Sequence, residues 1–442
     1  MTPRPAPLRV AVAGAGMAAA RFAHQALSLA PPGTLEVTLY GREHHAPYNR
    51  TLLTGVLAGQ GDPTALTLPT GGALVRTGVD VVSFDPASRT LRTATGETVR
   101  YDALVLATGA RPELPDIRNL HAGPRPPART AATGPDPAPR GALGTRTRPA
   151  TRPAAGRPLK DGVHALRTLA DGARLAGDLP RARRAVVVGG GVLGVGAAQA
   201  LAARGLPVHL VHRAPHLMER HLDAGAAAAV RRSLEALGVR VHTGRGVRAL
   251  LGGDRVTGLE IADGPLLETE LAVLACGTRP RTRLARAAGL TVRTGVVVDD
   301  NLATSAPGVH AIGDCAEHRG TVHGRAEAAF DQADVLAAHL SGARPGARYT
   351  GSPALLRLSA GPLRALALGD GTGPSGPDTD TVRLTDATRG TYKKLVLRGD
   401  ALLGALLVGD LATAPDLVHA FERGEPVPPD PLHLLTTEGA AP

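Results

Sequence analysis

The chain has 442 residues and a formal net charge of +11, from 50 Lys and Arg against 39 Asp and Glu. At roughly 150 residues per domain this length predicts two or three domains, each able to bury a core. Such a charge raises nucleic acid or an anionic membrane as a partner. No run approaches 18 apolar residues, however, so a membrane-spanning helix is not expected. The two cysteines, Cys276 and Cys315, are too few for a four-cysteine iron–sulfur site.

The N-terminal residues MTPRPAPLRVAVAGAG lack the apolar core of a signal peptide, because a strand pattern begins by Arg9. We therefore expect a cytoplasmic protein that does not associate with a membrane.

The first dinucleotide motif lies close to the N-terminus. An apolar run at residues 8–13 predicts a strand that leads through GAGMAA, residues 14–19, into a helix. In this G-x-G-x-x-A pattern Gly14 permits the tight turn and Gly16 lets a pyrophosphate approach the backbone. Ala19 is small enough for close packing of helix on strand, and the helix N-terminus offers free amides to phosphate.

A second strand is predicted at residues 35–40, shortly before Glu43. An acid in this place can accept hydrogen bonds from a ribose diol, so Glu43 is the candidate. The glycine motif alone is weak evidence in an Ala/Gly-rich chain, where chance and simple turn chemistry explain it equally well. Its recurrence later in the chain favours dinucleotide binding.

The unit recurs at residues 185–212 as a strand, the glycine turn GGGVLG, a helix and a strand. Gly189, Gly191 and Gly194 occupy the three fingerprint positions, and two such units predict two bound dinucleotides. The last strand of this unit ends without a carboxylate. Arg213, just past it, could accommodate a 2′-phosphate or could be an ordinary solvated arginine.

Three later strand ends follow in the order typical of a flavoprotein with two dinucleotide folds. Residues 101–112 (YDALVLATGARP) end an apolar strand in Ala-Thr-Gly, and residues 270–280 (ELAVLACGTRP) repeat that design. Residues 304–316 end a strand in Gly-Asp, where the aspartate can accept a hydrogen bond from a sugar alcohol and a following helix can face phosphate. The candidate cofactor-binding residues of these turns are Thr108, Gly109, Gly277, Gly313 and Asp314.

With these motifs the chain resembles the pyridine nucleotide–disulfide oxidoreductase-like flavoproteins. Within them it resembles the FAD/NAD(P)H half of assimilatory nitrite and nitrate reductases. The block Tyr48-Asn49-Arg50 is fairly specific to this subgroup, and the resemblance makes Arg50 a candidate cofactor contact. The segments that carry the resemblance are residues 47–59, 165–175, 216–226, 277–320, 349–353 and 391–410.

The resemblance implies an α/β protein with two Rossmann-like domains, for FAD and NAD(P)H, and a small C-terminal α/β domain of the rubredoxin-reductase type. The implied segments are an FAD domain at 1–120 and 282–345, a linker insert at 121–158, an NAD(P) domain at 159–281 and a C-terminal interface domain at 346–442.

The chemistry implied by the resemblance is hydride transfer from NAD(P)H to FAD in an oxidoreductase. Relatives hold iron–sulfur and sirohaem groups that two cysteines cannot bind, so electrons would leave to a separate redox protein. That partner is a nitrate or nitrite reductase component, or a small iron–sulfur protein if the chain is a rubredoxin or ferredoxin-type reductase. The oligomeric state stays open, with a homodimer as one candidate.

The sequence departs from its relatives at positions near the expected flavin. Gly196 stands where relatives often carry Glu, and Gly55 stands where ferredoxin reductases place a Lys. The sequence GRAEAA puts Arg325, Glu327 and Ala328 at the helix start that should meet the flavin pyrimidine edge. Relatives in the nitrite reductase group also lack the lysine, so Gly55 is not unexpected. Gly196 and the changes at Arg325–Ala328 keep open a third interpretation, a nucleotide-binding flavoprotein with weak turnover.

Residues 123–158 are rich in proline and contain no Phe, Tyr, Trp, Ile, Val or Met. Such a segment cannot form a core, which favours a disordered linker over a docking element. Its seven arginines and one aspartate supply +6 of the net charge. Nucleic-acid binding also calls for stacking aromatics, and none occurs between Tyr101 and Phe330, so no specific nucleic-acid partner is expected.

Three other features have simple structural interpretations. His212, His216 and His221 have no cysteine or carboxylate spacing that would favour a metal site. Cys315 is expected to be a packing residue rather than a redox thiol. Residues 402–408 are too short to span a bilayer and predict a buried strand.

Overall fold

The computed structural model describes most of the chain, and the described residues are 6–59, 63–123, 157–373, 376 and 378–436. Most of the linker insert, residues 124–156, therefore lies outside the described part.

The first part of the chain contains eight strands and two helices among its described residues. In chain order they are β1 (Leu8–Ala13), α1 (Met17–Leu29), β2 (Leu35–Gly41), α2 (Leu53–Leu57), β3 (Leu74–Thr77), β4 (Val81–Asp85), β5 (Thr90–Thr93), β6 (Thr98–Arg100), β7 (Ala103–Leu106) and β8 (Ala110–Pro112).

The middle of the chain holds the second glycine turn. Its elements are β9 (Val163–Ala165), α3 (Leu169–Asp178), β10 (Ala185–Val188), α4 (Val192–Ala203), β11 (Val208–Val211), α5 (Ala224–Ala236), β12 (Val239–His242), β13 (Val247–Leu251), β14 (Gly258–Ile261), β15 (Leu266–Glu268), β16 (Leu271–Leu274) and β17 (Thr278–Pro280).

The remaining elements return to the first sheet and then build a third one. They are α6 (Arg283–Ala287), β18 (Val296–Val298), β19 (Val309–Ala311), β20 (Ala316–His318), α7 (Ala326–Leu340), β21 (Leu355–Ala360), β22 (Leu363–Gly369), β23 (Asp380–Asp386), β24 (Thr391–Arg398), β25 (Ala401–Val408) and α8 (Ala414–Arg423).

Two five-stranded parallel sheets position the candidate sites. Their strand orders are β3-β2-β1-β7-β19 and β12-β11-β10-β16-β9. In each sheet the central strand is the one before a glycine turn. Its strands are apolar because both faces are covered, by helices on one face and by a three-stranded antiparallel sheet, β4-β5-β6 or β13-β14-β15, on the other. The strand order reverses beside β1 and β10, so each glycine turn lies at the crevice where such sheets bind ligands. The predicted α/β class is confirmed.

The third sheet is antiparallel, with the order β21-β22-β25-β24-β23, and α8 packs on it. The predicted buried strand is confirmed as β25, in which Ala405–Val408 are fully buried. Among the described residues, no helix is long and apolar enough to cross a membrane.

The two ends of the linker insert lie side by side. His121 and Leu159 form an antiparallel bridge, and the Ala122 N–H donates to the Pro158 carbonyl at 3.1 Å. The intervening segment therefore leaves and rejoins the described structure at one place.

A buried polar cluster joins the second and third sheets. The Asp223 carboxylate caps α5 by accepting from the Ala226 N–H at 2.9 Å. It also accepts from the Tyr392 hydroxyl at 2.8 Å and the Lys394 ammonium at 3.2 Å. Burial alone would raise the pKa of Asp223, but these hydrogen bonds outweigh it and lower the pKa below the usual range.

Replacing Asp223 should destabilise this joint, because Lys394 is almost fully buried and would lose its only carboxylate partner in the described structure. Asp223→Asn keeps a capping side chain and should lower the free energy of unfolding by about 3 kcal/mol, measured by urea denaturation. The exposed control Asp263→Asn should change it by less than about 0.5 kcal/mol.

The loss of unfolding free energy in Asp223→Asn should depend on pH in a defined direction. The Asp223 carboxyl has a lower pKa in the folded protein than in the unfolded chain, where an aspartate has a pKa of about 3.9. Such a group stabilises the fold fully above the unfolded pKa, and this stabilisation is lost as the pH falls through the folded pKa. The difference between wild type and Asp223→Asn should therefore be complete at pH 7 and shrink below about pH 4. A difference that stays constant down to pH 2.5 would contradict this account.

Candidate functional site

The first glycine turn forms a narrow backbone cradle at the end of β1. Gly14 has φ 125°, and a Cβ there would lie 2.1 Å from the Ala107 carbonyl oxygen, so only glycine fits. Gly16 is the N-cap of α1, and the Arg50 guanidinium lies 4.0 Å from the place for its Cβ. Ala19 is fully buried on α1. Free N–H groups beside a guanidinium suit a bound phosphate.

Glu43 and Arg50, which are predicted from separate motifs, meet beside this turn. Glu43 forms an ion pair with Arg50 and accepts the Tyr48 hydroxyl at 2.7 Å. The Tyr48 oxygen in turn accepts the Leu169 N–H at 3.0 Å, at the start of α3. Burial raises the pKa of Tyr48, so its hydroxyl stays protonated and donates to Glu43. A carboxylate accepts several hydrogen bonds, so Glu43 can still accept from a ribose diol.

Asp314 lies in the turn after β19, where it forms an ion pair with Arg167. The Nε of Arg167 is buried and has no hydrogen-bond partner in the described structure. The backbone N–H of Arg167 donates to Asp171 at 3.1 Å, in the capping box that starts α3. A buried Nε donor without a partner, on a half-buried arginine beside a carboxylate, is a position that a polar ligand would satisfy.

Sequence reasoning did not single out Arg167, although the segment around it carried part of the resemblance. Arg167 and Asp314 are 147 residues apart in the chain. A lone arginine before a helix gives no sequence signal, and only the folded arrangement places it at Asp314.

Positive charge is concentrated where the first turn meets the later Ala-Thr-Gly turn. The Arg281 N–H donates to the Gly109 carbonyl at 2.8 Å, and the Thr108 hydroxyl donates to the Arg281 carbonyl at 2.7 Å. Burial, and then the charges of Arg42 and Arg50, lower the pKa of Arg281 to about 10. A bound anion would relieve this repulsion, so these residues fit the pyrophosphate of a dinucleotide.

The two similar turns at the ends of β7 and β16 are joined directly. β8 pairs antiparallel with β17, so that Arg111 lies opposite Arg279. Glu113 accepts from the Arg279 Nε at 3.0 Å across this pair. Gly277, with φ 104°, opens the second turn into β17. Thr108, Gly109 and Gly277, predicted from separate motifs, are therefore brought to one junction between the sheets.

Gly313 lies close to α1 and α7. Its φ is 73°, a Cβ there would lie 3.0 Å from the Ala18 Cβ, and its N–H donates to Gln332 Oε1 at 2.7 Å. Arg325 is the N-cap of α7, as the sequence leads us to expect for the start of that helix. Its guanidinium donates to the Pro353 carbonyl at 3.0 Å and so binds the connection to the third sheet.

The second glycine turn has the same steric design as the first. Gly189 has φ 111°, and a Cβ there would lie 2.3 Å from the Ala275 carbonyl oxygen. A Cβ on Gly194 would lie 1.8 Å from the Gly189 carbonyl oxygen, so α4 packs directly on the turn. Gly191 is the N-cap of α4, and among the described residues no atom outside its chain neighbours lies within 4 Å of the place for its Cβ. This open face is suited to a pyrophosphate.

The position after β11 is occupied by a histidine. His212 Nδ1 accepts the Gly190 N–H at 3.1 Å, and its Nε2 lies 2.9 Å from a Glu219 carboxylate oxygen. Nδ1 is therefore the acceptor and Nε2 carries the proton. Arg213 is exposed and forms no hydrogen bond or ion pair with the described residues.

The three histidines of this loop do not share a ligand geometry. His216 Nδ1 lies 3.2 Å from the Leu217 carbonyl oxygen, whereas His212 is bonded to Glu219. Burial, and then the charge of Arg325, lower the pKa of His221. In the described ranges, no group of three or more His, Cys, Asp or Glu side chains is placed to hold a metal ion.

Gly196 lies on α4 where that helix faces α2. A Cβ there would lie 3.1 Å from Thr54 Cγ2, so Thr54 fills the space beside the glycine. Where relatives carry a glutamate side chain, this chain therefore has a close contact between α4 and α2 and not an empty cavity.

Cys315 is fully buried in the turn after β19, and Cys276 is half-buried just beyond the end of β16. The Cys315 Sγ donates to the carbonyls of Leu106 and Ile312 at 3.3 Å, and burial raises the pKa of this thiol. The Cys276 Sγ donates to the Val188 carbonyl at 3.4 Å, and burial raises its pKa to about 11. The thiol rather than the reactive thiolate therefore predominates at both positions near neutral pH.

We expect neither cysteine to react quickly with iodoacetamide in the native protein at pH 7.5. Unfolding in guanidinium chloride exposes both thiols, so mass spectrometry should then show two added groups. Rapid native labelling of Cys315 would contradict its burial.

Comparison with known proteins agrees with this two-site arrangement. Residues 8–333 match the model of the pyridine nucleotide-disulphide oxidoreductase family, and residues 368–425 match the rubredoxin NAD+ reductase C-terminal domain. The chain is 32% identical over 421 residues to a nitrite reductase (NAD(P)H) of Bacillus subtilis (strain 168), covering 94% of this chain and 47% of that protein.

A second Bacillus subtilis relative, an assimilatory nitrate reductase electron transfer subunit, is 29% identical over 91% of this chain and 48% of its own length. The chain thus spans about half the length of these curated relatives. Among solved structures, a ferredoxin reductase of Rhodopseudomonas palustris superposes with a TM-score of 0.74 and 28% identity over 93% of both chains.

These matches cover both glycine turns, the junction between them and the third sheet. The chain therefore belongs to the pyridine nucleotide-disulphide oxidoreductase family and is an oxidoreductase that uses FAD and NAD(P)H.

Proposed function

We propose that this chain oxidises NAD(P)H and delivers the electrons to a separate redox protein, a component of an assimilatory nitrate or nitrite reductase. The observation that carries this proposal is the joining of two glycine cradles by the β8–β17 pair. This junction lets two dinucleotides meet end to end. The chain has only two cysteines, fewer than a four-cysteine iron–sulfur group needs, so we assign the terminal reduction to the partner.

Within this proposal the first sheet belongs to the FAD domain, residues 1–120 and 282–345, and the second to the NAD(P) domain, residues 159–281. Residues 346–442 form the interface domain. The proposed FAD contacts are Gly14, Gly16, Ala19, Glu43, Arg50, Thr108, Gly109, Arg167, Gly313 and Asp314, and the proposed NAD(P) contacts are Gly189, Gly191, Gly194, Arg213 and Gly277.

The side chains of the first site have separate proposed roles. Arg50 and Arg281 neutralise pyrophosphate beside α1. Glu43 orients the adenosine ribose, and Asp314 with Arg167 fixes the sugar-alcohol chain. Bound FAD would supply the ability to take a hydride from nicotinamide and to release electrons one at a time.

Anaerobic reduction of the purified, FAD-loaded protein tests this function. We expect a yellow protein whose flavin absorbance band, at about 450 nm, bleaches on addition of NADH or NADPH. It should recover on addition of an oxidised nitrite reductase component. A colourless protein that cannot be reconstituted with FAD would disprove the proposal.

A second candidate is a rubredoxin- or ferredoxin-type reductase that serves another pathway. The match of residues 368–425 and the similarity to the Rhodopseudomonas palustris ferredoxin reductase along both whole chains favour it. Steady-state turnover with rubredoxin, ferredoxin and the nitrite reductase component distinguishes the two candidates. A third, a flavoprotein with weak turnover, predicts slow bleaching with either nucleotide.

A cytoplasmic location and a homodimer also belong to this proposal. The location is supported by the need for NAD(P)H, which cells hold in their interior. Light scattering of the purified protein tests the dimer, for which a mass near twice that of one chain is expected.

A further inference from the structure

In the described part of the chain, the position after β11, where the adenosine ribose is expected, carries a histidine instead of a carboxylate. In a site for NAD the residue near the end of the second strand is commonly an acid that accepts from the 2′-hydroxyl. Here β11 ends at Val211 and His212 follows. Both imidazole nitrogens are already engaged, one by the Gly190 N–H and the other by Glu219.

Two carboxylates near this region, those of Glu219 and Glu113, are also engaged. Burial alone would raise the pKa of Glu219, but the hydrogen bond from His212, a backbone hydrogen bond and the charges of His212 and Arg220 together outweigh burial and lower the pKa. Glu219 therefore stays ionised and bonded to the imidazole. Glu113 forms an ion pair with Arg279 in the β8–β17 junction. Neither acid cancels the charge of the arginine that follows His212.

Arg213 is this arginine, and it forms no hydrogen bond or ion pair among the described residues. Its charge acts on the Cys276 thiol, beyond the end of β16, against the larger effect of burial. In the sheet, β10 separates β11 from β16. Because β11 runs parallel to β10, Arg213 is placed at the same carboxyl edge of the sheet as the glycine turn.

We infer that Arg213 binds the 2′-phosphate of NADPH and that this chain prefers NADPH to NADH. The inference rests on the proposed function and specifies its reductant. A phosphate monoester carries close to two negative charges near pH 7, and an unpaired guanidinium offers it forked, charge-assisted hydrogen bonds. The ribose 2′-hydroxyl of NADH would meet this cation without an available acid.

Binding of nucleotide fragments tests the inference apart from flavin chemistry. We expect calorimetric titration of the FAD-loaded protein to show 2′,5′-ADP binding more tightly than 5′-ADP by about 10- to 100-fold, the worth of a charged hydrogen bond. Arg213→Ala should remove most of this difference and leave 5′-ADP binding unchanged.

Arg245→Ala is the matched control. Arg245 is also an exposed arginine, and its backbone N–H donates to the His212 carbonyl. Its guanidinium lies against Gly264, where a Cβ would be 2.9 Å from Nη1. The variant should change the preference by less than about threefold, well below the effect of a charged hydrogen bond.

Anaerobic flavin reduction gives the second measurement. The ratio of kcat/KM for NADPH to that for NADH should exceed one in the wild type and fall by about 10- to 100-fold in Arg213→Ala. A wild-type preference for NADH, or equal losses in Arg213→Ala and Arg245→Ala, would overturn the inference and leave the proposed function standing. Failure of both nucleotides to bind and to reduce the flavin would overturn both.

Discussion

Gly194→Ala should give a yellow protein that NAD(P)H can scarcely reduce. The new Cβ would lie 1.8 Å from the Gly189 carbonyl oxygen, so the start of α4 must move away from the glycine turn. A displacement of about 1 Å costs roughly 100-fold in a reaction that depends on orientation. The contact between Gly194 and Gly189 lies at the turn of the second sheet and not at the first, so the FAD content should remain near that of the wild type.

Anaerobic stopped-flow spectroscopy measures the reduction rate of this variant. Gly253→Ala is the control, because a Cβ at Gly253 meets nothing within 4 Å and the position does not require a positive φ. A Gly194→Ala protein with a reduction rate within threefold of Gly253→Ala would show that the second glycine turn does not position the nicotinamide nucleotide.

Gly14→Ala should prevent FAD binding. The added Cβ would lie 2.1 Å from the Ala107 carbonyl oxygen, and φ 125° is unfavourable for any residue with a Cβ. The β1–α1 turn must open, which separates the N–H groups of α1 from Arg50. We expect a colourless protein after purification and less than about one-tenth of the wild-type FAD content, as a misplacement of about 1 Å implies.

Binding of 2′,5′-ADP distinguishes loss of FAD from general unfolding, because the second sheet has its own core. The Gly14→Ala protein should retain this binding. Wild-type FAD content in Gly14→Ala would show that the first glycine turn does not contact the cofactor.

The sequence predicted those parts of the molecule that local geometry determines. Gly14 and Gly189 are recognisable because a strand, a tight turn and a helix follow each other within a few residues. The buried strand β25 is recognisable from one continuous apolar run. In such cases the interacting residues are neighbours in the chain, so the pattern and the structure contain the same information.

Long-range contacts were not predictable in this way. The ion pair of Arg167 with Asp314, and the burial of Arg281, depend on how separate segments meet. The bond between His212 and Glu219 spans only seven residues, but an irregular loop forms it, and such loops have no periodic pattern. Arg213 could therefore be interpreted in two ways until its surroundings were known.

The β8–β17 ribbon has a consequence for how these enzymes can be rebuilt. The chain leaves the first sheet through β8 and returns through β17, so residues 113–277 form one continuous insertion whose two entry points are hydrogen-bonded to each other. A segment bounded in this way can be exchanged as a cassette, because its two ends meet in one short ribbon, provided that contacts outside the ribbon, such as Arg167 with Asp314 and Asp223 with Lys394, are kept. Grafting 113–277 from a homologue should transfer its reductant preference while the electron-delivering surface of the recipient stays the same.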